Sequence, residues 1–174
     1  MIKIIGLEHD QVKLVEHCKE WLNIFEDEKA KIKKLFNDNT IQIEHIGSTA
    51  VESIPAKPII DIMVAINNYS LVDYYKRNLS KLNYINLGEC GRKGRSFLVK
   101  DKNNISCFHL HLVEFESIYW ENNIFFRDYL QNHFKTAEEY AELKIRLAEK
   151  YSDNRNLYRV FKSQFIEKIL KLKK

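Results

Sequence analysis

Residues 43–51 read Ile43-Glu44-His45-Ile46-Gly47-Ser48-Thr49-Ala50-Val51, and shortly after comes Ile59-Ile60-Asp61-Ile62-Met63-Val64-Ala65-Ile66. Ile41 to Ile46 is short and rich in β-branched residues, which predicts a strand. Gly47-Ser48-Thr49 predicts a tight turn that leaves backbone N–H groups and two hydroxyls free for a ligand, although Gly-Ser also makes ordinary turns and Ser or Thr caps ordinary helices. The apolar run from Ile59 to Ile66 is interrupted only by Asp61, as in a strand central to a sheet. With a period of two, Asp61 shares a face with Met63 and Ala65, while Ile60, Ile62 and Val64 point into the core. A lone carboxylate in such a strand is costly to bury unless it is paired or ligated. Asp61 is therefore expected to face a cleft, with an ion pair to Lys57 or an arginine as the structural alternative.

Upstream, Leu14, Cys18, Trp21, Leu22, Phe25, Ile32 and Leu35 recur every three or four positions, which predicts a helix over 10–36 that stops at Asn37-Asp38-Asn39. Downstream, a helix is expected from Leu71 to Leu82 and a short strand from Tyr84 to Leu87. The loop Gly88-Glu89-Cys90-Gly91-Arg92-Lys93-Gly94 leads into a hairpin of Ser96–Lys100 and Ile105–Glu114. From Ser117 the pattern is helical. Thr136 and Glu139 fit a capping box, so one helix ends near His133 and another begins. In the last helix Leu157, Phe161, Phe165 and Ile169 form an apolar stripe. The order is helix, mixed sheet, then a helical C-terminal third, an α+β class.

At 174 residues with 45% hydrophobic and 30% charged side chains, the chain suits one folded domain and not a disordered segment. No apolar run approaches the ~20 residues of a membrane span, so no membrane partner is expected. Cys18, Cys90 and Cys107 form no CxxC pair, which argues for a reducing compartment, the cytoplasm. The net charge of +4 gathers at the C-terminal lysines and around Arg92, Lys93 and Arg95 without a continuous basic stripe, so nucleic acid is disfavoured as a partner. The oligomeric state is left open.

A second constellation is Cys107-Phe108-His109-Leu110-His111-Leu112-Val113. Alternation puts Cys107, His109 and His111 on one face and Phe108, Leu110 and Leu112 on the other. Paired histidines can donate to phosphate, act as acid and base, or bind metal with further ligands; two structural histidines are the bland alternative.

The run IEHIGSTAV followed by AKPIIDI resembles the GrpB family signature. His109-Leu110-His111, Phe126-Arg127-Asp128-Tyr129-Leu130, Tyr140 to Lys144 and Tyr158 to Lys162 are similar to its later motifs. The likeness runs along nearly the whole chain and implies one domain over 1–174. It implies an α+β, nucleotidyltransferase-like mixed β-sheet with helices packed on one face and a helical C-terminal third. By that resemblance Gly47, Ser48 and Thr49 would hold the phosphates of a nucleotide or another phosphorylated small molecule. Lys57, Arg95 and Arg127 would neutralise charge. Asp61, His109 and His111 would be catalytic. Asp61, with Glu44 as a second ligand, would bind magnesium, or manganese in its place. The chain departs from an active nucleotidyltransferase at Met63, which stands where a second carboxylate is usual, and a thioether is a poor ligand for a hard cation. Metal-dependent nucleotidyl transfer to an undefined acceptor therefore competes with binding without catalysis and with a protein-interaction or folding-accessory role.

Overall fold

The computed structural model describes residues 4–9, 11–36 and 41–173. In chain order the elements are β1 (Leu7–Glu8), α1 (Glu20–Leu35), β2 (Ile41–Ile46), β3 (Ile60–Ile66), α2 (Val72–Leu79), β4 (Ile85–Asn86), β5 (Arg95–Lys102), β6 (Ile105–Glu114), α3 (Ile118–Asn132), α4 (Phe134–Lys150) and α5 (Arg155–Leu170). The sheet runs β2-β3-β6-β5-β4, with β1 paired to the start of β6. It is mixed: β3 and β6 are parallel, and the other pairs are antiparallel. That puts β3 and β6 side by side at its centre, where Asp61 lies opposite His109 and Met63 opposite His111.

Strand alternation divides the core as expected. Ile60, Ile62, Val64 and Ile66 point towards α1 and α2, where they meet Trp21, Phe25, Ile32 and Leu79. On the other face Ile46, Met63, Ala65 and Val113 are covered by Tyr119, Trp120 and Ile124 of α3. A third cluster joins Val51 and Ile54 to Leu130, Ala137 and Tyr140, so α3 and α4 pack over the segment that follows the Gly47 turn. The C-terminal helices thus close over one end of the β3–β6 face, above Asp61. Among the described residues no helix is long and apolar enough to cross a membrane.

Four local expectations are corrected. The helix predicted from residue 10 begins only at Glu20, because the preceding segment is held extended: the backbones of Val15 and Ala56 exchange two hydrogen bonds of 2.9 Å. Its predicted stop at residues 37–39 lies outside the described residues. Thr136 is not a cap, since α4 starts at Phe134 without any side-chain cap. The stripe of α5 does not stay buried: Leu157 and Phe161 are 40% and 37% exposed, and the inner face there belongs to Tyr158 and Lys162. Spacing by four drifts around a helix of 3.6 residues per turn, so it cannot follow one face for three turns.

The fourth concerns Cys107. The β5–β6 register passes from Lys100 opposite Phe108 to Asp101 opposite Ser106, leaving Cys107 as the extra residue of a bulge. The bulge reverses the alternation before Phe108. Cys107 packs into the core with Phe108 and Leu110, and Ser106 takes the face shared with His109.

Candidate functional site

The turn after β2 is built around a contact that needs glycine. Gly47 has φ 72° and ψ −171°, a conformation almost exclusive to glycine. A Cβ there would stand 2.5 Å from Oδ2 of Asp61. The backbone of the turn therefore rests directly on the Asp61 carboxylate. Beyond it Ser48–Ala50 forms one 3-10 turn, and Thr49 Oγ1 lies 2.9 Å from Nε2 of His45. His45 is buried against the ring of Phe25, and burial pulls its pKa down to about 4, so it is neutral.

Asp61 meets two imidazoles on its other oxygen. Nδ1 of His109 lies 3.2 Å and Nε2 of His111 3.7 Å from Oδ1. The partners of the far nitrogens define the tautomers. A guanidinium can only donate, and Arg95 Nη1 lies 3.4 Å from Nδ1 of His111, with the Tyr119 hydroxyl at 3.1 Å. His111 thus carries its proton on Nε2, facing Asp61. His109 donates from Nδ1 to the Asp61 carboxylate, which can only accept, and its Nε2 lies 3.4 Å from the Ser106 hydroxyl. Burial opposes ionisation of Asp61, but the hydrogen bonds from His109 and His111 outweigh it and hold the carboxyl well below its usual range. Burial likewise lowers the pKa of His111, which agrees with a neutral ring.

Gly47, Ser48, Thr49, Lys57, Asp61, Arg95, His109, His111 and Arg127 all line one cavity of about 1240 Å³ between the sheet and α3, α4 and α5. Two of the arginines are already engaged. Arg95 is buried, spans the carbonyl of Glu89 and the Tyr119 hydroxyl, and so braces His111. Arg127 binds Glu44 Oε2 at 2.6 Å, the His45 carbonyl at 3.0 Å and Asp128 at 2.8 Å, tying α3 to β2. Glu44 accordingly does not join Asp61 in the cavity. It sits opposite Met63, its charge met by Arg127.

The helical wall supplies groups that physical reasoning on the sequence passed over. Lys144 is buried, donates to the Pro55 carbonyl and lies 4.9 Å from the ring centre of Tyr140, which lines the cavity together with Ser48. One helix on, Lys162 stands over Tyr158 in the same way. Arg155 and Arg159 of α5 line the cavity beside them. Burial, with the neighbouring cations, pulls the amine of Lys57 down to about 7; burial and Lys162 do the same to Lys144, and Lys162 is lowered too. The signal in the sequence was the repeated Tyr-x-x-x-Lys, which puts ring and amine on one helix face.

Sheet and helices together have a nucleotidyltransferase-like fold. The Cid1 poly(U) polymerase in its MgGTP-bound structure superposes with a TM-score of 0.53 at 13% identity, over 78% of this chain and 44% of that one. A cytoplasmic RNA terminal U-transferase does so with a TM-score of 0.51 at 12% identity, over 75% of this chain and 40% of the other. The chain belongs to the GrpB family, which it matches over residues 11–172. The glutamate-rich protein GrpB of Alkalihalophilus pseudofirmus is 34% identical, with 96% of this chain and 98% of that protein covered. The crystal structure of the conserved protein GrpB from Enterococcus faecalis has a TM-score of 0.81 at 29% identity, covering 92% of this chain and 98% of the other.

The donor set is a poor match to the divalent metal that the resemblance implies. Hard cations need several oxygen ligands. Here Asp61 is a single carboxylate whose Oδ1 faces two N–H groups, the neighbouring position is the fully buried thioether of Met63, and Glu44 is paired to Arg127. Among the described residues no group of three or more His, Cys, Asp or Glu side chains is arranged to hold a metal. These residues do not fit a magnesium or manganese site of the nucleotidyltransferase kind.

Proposed function

We propose that the cavity binds a nucleotide or another phosphorylated small molecule, with its phosphates against the Gly47-Ser48-Thr49 turn. The observation that carries this reading is the charge of the walls. Lys57, Lys144, Lys162, Arg155 and Arg159 come from one loop and two helices to line a single cavity, and the acids facing them there are Asp61, Asp153 and Glu167. Partly buried cations that lack equal counter-charge favour an anion, and the open turn offers it N–H groups and the Ser48 hydroxyl. Cid1, of like fold, has been solved with MgGTP, which supports a nucleotide as the first ligand to try.

A nucleotidyl transfer to a small acceptor is the second reading, favoured by one observation. The ionised Asp61 carboxylate lies against the proposed phosphate turn, where it can accept a hydrogen bond from an acceptor hydroxyl and orient it while His109 and His111 hold the carboxylate in place.

Thermal denaturation with nucleoside triphosphates tests the first reading. A ligand at a hundredfold excess over its dissociation constant stabilises the fold by ~2.7 kcal/mol, a clear shift in Tm. No shift with any nucleotide or sugar phosphate would remove it. Loss of turnover, with binding retained, in Asp61→Asn would establish the second; binding without turnover in the unaltered protein would leave only the first.

A further inference from the structure

The acids that would hold a metal are spent or missing, while the cations exceed what the protein itself can neutralise. We propose that the cavity neutralises a polyphosphate chain with its own amines and guanidiniums, so that a nucleoside triphosphate binds without a divalent cation. The inference rests on the nucleotide-binding reading above and names how that site meets the charge.

The geometry distributes the work. Lys57 stands in the segment that leads into β3, four residues ahead of Asp61, Lys144 projects from α4, and Lys162 projects from α5 with Arg159 three positions before it. Lys57 feels the repulsion of Arg155, Lys162 and Arg159 against the attraction of Asp61, and Lys162 feels the attraction of Asp61 first and then the repulsion of Arg159, Arg92 and Arg155. One carboxylate offsets only part of the repulsion among these cations, and packing holds them together against the rest. Lys144 stands against the buried Tyr140, and Lys162 against the buried Tyr158. The triphosphate of a nucleotide carries up to four negative charges, and inorganic tripolyphosphate up to five, so either can span several amines at once, whereas a single phosphate cannot. Asp61 limits how close an anion comes to the sheet, since an ionised carboxylate repels it. That directs the phosphates towards Ser48 and the helical wall. A magnesium ion on the ligand would bring charge into a cavity already rich in cations and would compete with the lysines for the same oxygens.

Isothermal titration of the intact protein with ATP and with inorganic tripolyphosphate, each in EDTA and in excess magnesium, tests this. Both probes should bind in EDTA, and magnesium should leave the dissociation constant within threefold or weaken it. Lys57→Gln and Lys162→Gln, both at half-buried positions, should each weaken binding in EDTA at least tenfold. Circular dichroism and melting curves verify that both variants are folded; Lys144, fully buried, is left intact for that reason. Binding that requires magnesium, or that tightens more than tenfold with it, would overturn the inference and leave the nucleotide reading standing. Magnesium-free binding untouched by both substitutions would overturn it as well. Absence of binding by either probe under any condition would remove the nucleotide reading itself.

Discussion

Gly47 rests its Cα on the Asp61 carboxylate, so the turn after β2 and the one acid of the central strand form a single unit. Strand register creates this contact: Ile46 is the partner of Asp61, and the chain turns at the next residue across its face. Gly47→Ala must relax both a backbone strained for any side chain and a Cβ 2.5 Å from Oδ2. The cost should be about 1–3 kcal/mol from the backbone alone. Urea denaturation would read it as a lower midpoint at unchanged slope; an unchanged midpoint would show that the turn can adopt another path.

Glu28 does for the opposite face what Asp61 does for the site. It is 1% exposed on α1, yet it accepts from Lys100 of β5 at 2.7 Å, from Tyr84 at 3.2 Å and from Lys31 at 3.1 Å. Glu28→Ala leaves Lys100 and Tyr84 without that acceptor, and removing one partner of a buried pair costs ~3–5 kcal/mol. Glu28→Gln, which keeps an acceptor, should cost less. Equal unfolding midpoints for these two variants would show that packing, and not the polar contacts, matters at this position.

The strands were legible because their signal is local. Ile105–Glu114 was bounded correctly, and the alternation in Ile59–Ile66 assigned both faces of β3. From the turn and strand patterns alone, Gly47 and Asp61 could be suspected but not joined, since their contact depends on register. The bulge at Cys107 was hidden, because one extra residue leaves no mark in composition and yet reverses every side chain before it. Glu44 looked available until α3 brought Arg127 to it from 83 residues away. Lys144 and Lys162 lie on amphipathic helices, on the face that also carries Tyr140 and Tyr158. Only the packing of α4 and α5 over the sheet turns that face inward, and nothing local encodes which face wins.

His45 predicts an acid-side loss of stability. Its folded pKa, about 4, is below the 6.5 of an unconstrained imidazole, chiefly through burial and partly through Arg127 and His17, against a contrary pull from Asp61. Below pH 6.5 the unfolded chain binds a proton that the folded one refuses. The contribution is therefore whole above pH 6.5 and is lost as pH falls towards 4. At full extent that is on the order of 3 kcal/mol, at about 1.4 kcal/mol per pH unit. His45→Gln should be less stable than the parent at pH 7.5 and show a shallower decline between pH 6.5 and 4.5. Parallel stability curves for the two proteins would assign the acid sensitivity elsewhere.

The lysines of the cavity predict a gain on the alkaline side. Lys57 and Lys144 are drawn down to about 7 from the 10.5 of a free amine, by burial first and then by the cations around them. Between pH 7 and pH 10.5 the unfolded chain holds protons that the folded chain has released, so stability rises with pH across that window and is flat below it. Lys144 faces the Tyr140 ring, the Pro55 carbonyl and the charge of Lys162, and none of these supplies a carboxylate to reverse the sign. Near pH 10 the rise should end, because burial holds back ionisation of the phenols of Tyr84, Tyr140 and Tyr158 in the folded state. Melting curves of the ligand-free protein should gain at least ~1 kcal/mol from pH 7 to pH 9, roughly 2–4 °C for a chain of this size. Lys144→Met should flatten part of that rise while Lys31→Met, whose amine is exposed on α1, leaves it intact. A melting temperature that falls steadily from pH 7 to pH 9 would mean that these amines are charged in the folded protein and already neutralised within it.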